Sequence, residues 1–184
     1  ATAVSKKDGT IAYPVINYTQ DDAGKSFTYV VSEENAGKTI GGVTYDSNSY
    51  EVTVKVEDNK SGKLTVTASD NAKALNFTNS YAANGNVTFS GTKTLEGQAL
   101  TAGEFNFRVT EGSDTNVVST GSNDGDGNIV FTSIPYTLND VGTHTYTVSE
   151  VNGGQTKDGI AYSSQTYIVT VSVTDNGDGT LNVQ

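Results

Sequence analysis

The sequence predicts an all-β protein made of tandem β-sandwiches of the immunoglobulin type. Three observations support this: apolar residues alternate with polar ones in short runs, turn residues separate the runs, and no stretch has a 3.6-residue apolar period. Roughly seven short strands per unit, with a turn about every 8–12 residues, are typical of a two-sheet sandwich. The composition agrees, because only 34% of the 184 residues are hydrophobic and 20 are glycine.

An internal repeat determines the domain organisation. Residues 27–67 align without gaps on residues 144–184, and 21 of the 41 pairs are identical. The repeat unit is about 117 residues long, so the chain holds roughly one and a half units. We therefore predict that residues 1–81 are the C-terminal two-thirds of a first sandwich. Residues 82–85 are then a short linker, and residues 86–184 are a second sandwich that lacks its last strand.

The individual strands follow from period-two alternation, bounded by turn residues. Asp58–Gly62 and Asp175–Gly179 lie between alternating runs and are predicted to be hairpin turns. The strands of the first unit are predicted near 10–18, 26–33, 49–57, 62–68 and 74–81. Those of the second unit are predicted near 86–95, 104–111, 128–136, 143–151, 166–174 and 180–184.

Charge and composition exclude several classes of function. The net charge of −10 and the pI of about 4.3 disfavour phosphate backbones and anionic lipids, so we expect neither nucleic acid nor a membrane as a partner. With no cysteine, the chain has neither disulfides nor a thiolate nucleophile. The single histidine, His144, cannot form a metal site or a triad alone. The acidic run Asp124–Asn128 departs from a calcium loop because Ile129 replaces the required glycine, which leaves at most an adventitious cation site. We predict no cofactor.

The sequence also bears on cellular location. No apolar run approaches the length of a transmembrane helix, and no signal peptide is visible. We therefore expect that residue 1 is not a native start and that a secretion signal lies upstream.

Three polar side chains fall on the apolar face of predicted strands, where a core is expected. They are Lys93 on the face of Leu95, Glu33 on the face of Val31, and Asn79 on the face of Phe77. Taken singly, each has an ordinary explanation: an edge lysine, an edge glutamate paired with a lysine, and a turn asparagine. Taken together they indicate something else, because a buried unpaired lysine is costly and a covalent bond can consume its amine. Glu150 is the counterpart of Glu33 in the second copy.

Several motifs, in the expected order along nearly the whole chain, resemble one family. Phe77-Thr78-Asn79-Ser80-Tyr81 resembles the closing Phe-x-Asn-x-Tyr strand of Gram-positive pilin isopeptide-linkage domains, which are Cna-B-like sandwiches. Tyr29–Glu33 and Tyr146–Glu150 resemble the Tyr-x-Val-x-Glu box of the same family. Gly91–Gly97 and Gly103–Phe107 look like its opening strands.

The resemblance implies that a lysine and an asparagine of the first and last strands form a spontaneous isopeptide bond. On that basis Lys93 is the nucleophile of the second unit and Glu150 is its catalytic acid/base. Glu33 is the acid/base of the first unit and Asn79 is its electrophile. The repeat phasing divides these residues between two sites, and each partner is expected outside the chain. Either the chain is a window on a longer array, which we favour, or a neighbouring copy donates the missing strands.

The implied chemistry is physically reasonable. An apolar site disfavours charge, so the lysine would become a free amine and the glutamate a neutral acid. The amine attacks the side-chain carbonyl carbon of the asparagine, and the acid polarises that carbonyl and moves protons until ammonia leaves. Because the reaction turns over once on its own chain, the protein is not expected to be an enzyme.

The resemblance therefore predicts a structural repeat of an extracellular pilus shaft or surface-adhesin stalk on a Gram-positive cell. Attachment to the cell wall would occur through parts outside this chain, and the partners would be neighbouring repeats or copies in a filament. The sequence does not separate shaft from stalk. The alternative is an adhesive module whose loops bind a host surface ligand, but the exposed loop aromatics expected of such a module are not evident in the sequence.

Overall fold

The computed structural model describes residues 1–113 and 115–184, and it is nearly all β. The chain divides into two compact units. The first unit contains residues 1–38 and 45–78, and the second contains residues 39–44 and 79–184. The fold class predicted from the sequence is confirmed.

Seventeen strands can be defined within the described residues. In chain order they are β1 (Ser26–Ser32), β2 (Thr39–Ile40), β3 (Val43–Thr44), β4 (Ser49–Asp58), β5 (Leu64–Ala68), β6 (Ser80–Tyr81), β7 (Asn84–Val87), β8 (Ser90–Thr92), β9 (Asn106–Glu111), β10 (Val117–Asn123), β11 (Asn128–Phe131), β12 (Ile134–Thr137), β13 (Gly142–Glu150), β14 (Thr156–Lys157), β15 (Ile160–Ala161), β16 (Thr166–Asp175) and β17 (Leu181–Val183). Three short 3₁₀ helices cover Gln20–Asp22, Asp70–Lys73 and Leu138–Asp140.

The first unit is organised around a three-stranded antiparallel sheet in the order β1-β4-β5. Alternate residues of β4, namely Val52, Val54 and Val56, are buried, as period-two alternation requires. Tyr18 packs its ring 5.3 Å from that of Phe27, and its hydroxyl lies 2.9 Å from the hydroxyl of Tyr29. This tyrosine pair ties the segment before β1 to the sheet.

The second unit contains a seven-stranded sheet in the order β17-β16-β13-β9-β10-β11-β8. Three smaller sheets accompany it among the described residues. β12 pairs with β7, β14 pairs with β15 in a two-stranded hairpin, and β2, β3 and β6 form a three-stranded sheet. The core lies between the first two sheets, and Phe105, Val109 and Tyr146 are among its fully buried residues.

Aromatic contacts connect the two sheets of this core. The hydroxyl of Tyr146 on β13 lies 2.8 Å from that of Tyr136 on β12, which repeats the tyrosine pair of the first unit. Phe89, between β7 and β8, packs edge-on against Phe131 and Tyr146. A buried hydroxyl without a partner is unfavourable, so the paired hydroxyls fix how the sheets align.

Two strand predictions in the first unit are wrong. Residues 10–18 form no strand, and only Ile11 makes an isolated bridge, to Ser5. Their counterparts at 128–136 pair with β8 and β7, which have no equivalent in the first unit among the described residues. Of the strand predicted at 74–81, only Ser80–Tyr81 lies in a ladder, because no strand of the described chain pairs with residues 74–79.

In the second unit, two predicted strands are divided. The strand predicted at 86–95 appears as β7 and β8, because β7 pairs with β12 and β8 pairs with β11 in the other sheet. The strand predicted at 128–136 divides into β11 and β12 in the same way. The sequence did not predict β10, whose hydroxyls, glycine and bulge between Val117 and Ser119 obscure the alternation.

Ala83 and Gly85 of the predicted linker 82–85 pack against the second unit rather than lying in solvent. Ala83 is buried, and Asn84 and Gly85 are the first residues of β7. A β-carbon on Gly85 would lie 2.9 Å from Cβ of Leu181 and 2.9 Å from Cγ2 of Val183. Only glycine therefore fits between β7 and β17 without moving one of them.

We expect Gly85→Ala to destabilise the second unit by about 1–3 kcal/mol, because the added methyl group overpacks the contact with β17. Urea unfolding followed by tyrosine fluorescence measures this change. The matched control is Gly125→Ala, whose β-carbon would have no atom within 4 Å and which should alter stability by about 0.5 kcal/mol or less. Equal effects of the two substitutions would contradict the packing argument.

Candidate functional site

The backbone holds Lys93 firmly at one edge of the large sheet of the second unit. Lys93 follows β8, and its N–H donates a 2.7 Å hydrogen bond to the carbonyl oxygen of Gly127. The side chain is only 11% exposed, and Nζ lies 4.2 Å from the ring centroid of Phe105. The strand period predicted this inward direction.

Glu150 is the last residue of β13, and its side chain is 3% exposed. Nζ of Lys93 donates to both carboxylate oxygens, at 3.1 Å to Oε1 and 3.0 Å to Oε2. The N–H of Ser163 donates a 3.2 Å hydrogen bond to Oε2. A buried carboxylate is tolerated only when it is paired and hydrogen-bonded, and these donors meet that requirement.

The geometry of the pair permits proton transfer. A proton that moves about 1 Å along the Nζ–Oε2 hydrogen bond turns the ammonium and carboxylate into a neutral amine and a neutral acid. The face of the Phe105 ring beside Nζ provides no acceptor stronger than its π cloud. Among the described residues, Glu150 is the only carboxylate in hydrogen-bond contact with the amine. The pair therefore combines a potential nucleophile with a proton carrier.

This pair opens into a groove of about 800 Å³. Its lining mixes polar residues with the apolar side chains of Phe89, Phe107, Ile129, Phe131, Val148 and Val169. One wall is β8, the end strand of the seven-stranded sheet, which pairs only with β11 within the described residues. None of the described residues that line the groove is an asparagine.

The first unit repeats part of this arrangement. Glu33 is half-buried after β1, and its Oε2 accepts a 2.8 Å hydrogen bond from the N–H of Asp46. Asp46 is the counterpart of Ser163 in the repeat, so both glutamates are tied to the same loop position. Asn79 is exposed and directly precedes β6, whereas the strand period predicted that it would face inward. The period does not apply there, because residues 74–79 are outside any ladder.

In the first unit, the segment before Asn79 covers a tyrosine. The hydroxyl of Tyr50 donates a 2.6 Å hydrogen bond to the carbonyl oxygen of Asn76, and the ring of Phe77 packs edge-on against Tyr50 at 5.3 Å. The N–H of Thr78 donates to Asp46 at 2.7 Å. The counterpart of Tyr50 is Tyr167, which lines the groove of the second unit and is 63% exposed.

A second titratable cluster lies on the same strand as Glu150. Nδ1 of His144 is 2.6 Å from Oε1 of Glu111, and Nε2 is 2.7 Å from the carbonyl oxygen of Asp140. Since a carboxylate and a carbonyl can only accept, both contacts are satisfied together when each ring nitrogen carries a proton, so the geometry favours the imidazolium. The Asp140 carbonyl, followed by Glu111, raises the pKa of His144. The sequence analysis did not identify this cluster, although Phe27 at the equivalent position marks His144 as a departure from the repeat.

Comparison with known families assigns the chain. The family model of the FctA, Spy0128-like isopeptide-containing domain matches residues 2–82 and 89–184, and the chain belongs to this family. Comparison with curated proteins and with solved structures gives no match. Membership makes the chain a pilin-type structural domain, of a kind that associates with other pilin subunits at a surface. The described residues contain no helix long and apolar enough to cross a membrane, and no group of side chains that could hold a metal ion.

We expect Lys93→Met to destabilise the second unit by about 3 kcal/mol, because it leaves the buried Glu150 carboxylate without its cation. The double variant Lys93→Met/Glu150→Gln should recover about 2 kcal/mol, since no buried charge remains. Urea unfolding of wild type, both single variants and the double variant measures the coupling. The exposed-lysine control Lys63→Met should change stability by about 0.5 kcal/mol or less. A double variant that is no more stable than Lys93→Met would contradict a buried charge pair.

We expect His144 to stabilise the fold most at acidic to neutral pH. Its pKa is raised in the folded state, so its contribution is complete below about pH 6.5 and is lost as pH rises through the folded pKa. Melting temperatures of wild type and His144→Phe, measured between about pH 5.5 and 9, test this. The wild type should lose more stability over the alkaline half of the range. Parallel curves would show that the charge on His144 contributes nothing to the stability of the fold. Phenylalanine is a suitable replacement, because Phe27 occupies the equivalent position in the first repeat.

Proposed function

We propose that the chain is a structural repeat of an extracellular pilus shaft or surface-adhesin stalk on a Gram-positive cell. In this role each unit is closed by a self-catalysed amide bond between a lysine and an asparagine. The observation that carries the proposal is the buried contact between Lys93 and Glu150 in the lining of an open groove. Membership in the isopeptide-containing family supports it.

The proposed reaction begins with proton transfer from Nζ of Lys93 to the carboxylate of Glu150. The neutral amine then attacks Cγ of an asparagine on a strand that enters the groove, and the protonated glutamate donates to the carbonyl oxygen. The glutamate then carries a proton from the attacking nitrogen to the leaving nitrogen, and it takes up the hydroxyl proton as the tetrahedral intermediate collapses to the amide. One C–N bond forms, one C–N bond breaks, and ammonia is the only other product.

The burial of the pair supports this chemistry. The amide product carries no charge, so the reaction would remove two buried charges that otherwise need each other. The groove also aligns the reactants, and holding them in contact replaces a bimolecular encounter with an effectively unimolecular step. These residues are fixed before the reaction by the hydrogen bonds from Lys93 N–H to Gly127 and from Ser163 to Glu150.

The first sequence repeat, residues 1–81, would supply the complementary half of another such site. In the proposal Glu33 is its acid/base and Asn79 is its electrophile, with the lysine supplied by a strand outside residues 1–184. The shared hydrogen bond from the loop to Glu33 and to Glu150 supports equivalent roles for the two carboxylates.

The strand that fills the groove should resemble the segment around Phe77. In the first unit this segment packs on Tyr50, and the equivalent Tyr167 in the groove is exposed. A closing strand with the same sequence pattern would cover Tyr167 and bring its asparagine towards Lys93.

We expect a synthetic peptide of residues 68–82 to form a covalent adduct with the chain. An Asn79→Ala chain is used, so that the peptide provides the only closing-strand asparagine. Intact-mass spectrometry should show the mass of chain plus peptide minus one ammonia, and tandem spectra should place the link at Lys93.

The controls are a peptide carrying Asn79→Ala and a chain that also carries Lys93→Ala, neither of which should form the adduct. Glu150→Gln should slow the reaction by about 100-fold or more, as loss of a general acid/base does. A peptide that binds but never loses ammonia would refute the bond-forming role and leave strand docking alone. A peptide that neither binds nor reacts would refute both.

A further inference from the structure

The hairpin β2–β3 makes a close backbone contact with the turn after β16. A β-carbon on Gly42 would lie 2.5 Å from Cα of Gly179, and one on Gly179 would lie 2.6 Å from the nitrogen of Gly42. The contact is reinforced where Ala82 N–H donates to the Gly42 carbonyl at 3.0 Å and where the Tyr81 hydroxyl donates to Asp175 at 2.8 Å. All of these residues belong to the second unit.

Both sides of this contact recur in the repeat. Gly159, in the β14–β15 hairpin, is the counterpart of Gly42, and Gly62, in the turn after β4, is the counterpart of Gly179. Gly42 and Gly179 are half-buried, whereas Gly159 and Gly62 are exposed and have no atom within 4 Å of an added β-carbon. The chain therefore carries an exposed second hairpin and an exposed second turn of the same kind.

The residues near these glycines differ between the two copies of the hairpin and of the turn. Gly41 in the hairpin becomes Asp158, and Gly177 in the turn becomes Lys60. Lys60 and Asp158 have φ angles of +58° and +50°, a region that is unfavourable for a residue with a side chain. Their counterparts are glycines with φ of +55° for Gly41 and +77° for Gly177. Charged side chains of opposite sign thus occupy left-handed positions where glycine would be easier, which indicates a role beyond the turn itself.

We propose that the hairpin 156–161 of one chain docks on the turn 58–62 of a second copy of this chain, with Asp158 beside Lys60. In the observed contact the equivalents of these residues come close, since a β-carbon on Gly41 would lie 3.9 Å from the carbonyl oxygen of Asp178, the neighbour of Gly177. The two surfaces differ from each other, so the contact is heterologous and extends from copy to copy without closing. This inference builds on the proposed role in a fibre and is independent of the isopeptide bond.

The association should be weak and sensitive to salt, because the contact is small and includes an exposed ion pair. Sedimentation velocity of the wild-type chain at increasing concentration should show a rising weight-average mass, and added salt should reduce the rise. Lys60→Glu alone and Asp158→Lys alone should each weaken the association by about tenfold, since like charges then meet. An equimolar mixture of the two variants should restore it, because every hairpin again meets a turn of opposite charge.

Single-cysteine variants provide a second measurement in this cysteine-free chain. A mixture of Lys60→Cys and Asp158→Cys chains should form the mixed disulfide dimer in excess of both homodimers. A statistical distribution of dimers, a wild-type mass that is independent of concentration, or a charge-swapped mixture that stays weak would each overturn the proposal. The peptide reaction at Lys93 should be unchanged in Lys60→Glu, so failure of this contact and failure of the proposed bond are distinguishable.

Discussion

The second unit depends on the burial of one carboxylate. Glu150 ends an interior strand, β13, with a side chain that is 3% exposed, and it is held there by Lys93 and by the N–H of Ser163. Lys93 follows the edge strand β8, and Ser163 lies in the loop after the β14–β15 hairpin. Because a buried carboxylate needs its donors, this contact constrains how the three segments pack. The same constraint recurs in the first unit, where the loop N–H of Asp46 donates to Glu33.

The two units differ in how an equivalent tyrosine is covered. In the first, Asn76 and Phe77 contact Tyr50, whereas in the second the equivalent Tyr167 is exposed in the lining of a groove. Within the described part of the chain, one edge of β8 has no strand partner beside this groove, and such an edge favours the addition of another strand. The proposed closing strand would satisfy the edge of β8 and cover the aromatic lining in a single step.

Sequence reasoning succeeded where one physical rule dominated. The alternation along β4 and β16 predicted those strands, and the same alternation predicted that Lys93 and Glu150 face inward. It failed at residues 10–18 and 74–79, because a strand needs a partner and alternation does not reveal whether one is present. The division of 86–95 into β7 and β8 was also hidden, since a change of sheet at Thr88–Phe89 leaves the period intact. The exposure of Asn79 follows from the same lack of a ladder.

Stability alone is a poor explanation for the Lys93–Glu150 pair. Desolvation of two charges roughly cancels their attraction, and apolar residues of similar size often stabilise a core as well or better. A covalent amide at the same place would remove both the charge and the cost of burying it. It would also close a loop of roughly 100 residues, which, by analogy with a disulfide, is worth about 4–5 kcal/mol. In a chain without cysteine, a force applied to the first strand would then pass directly to the last one. The small net stabilisation expected of the buried pair therefore supports the proposal that Lys93 and Glu150 take part in forming a cross-link.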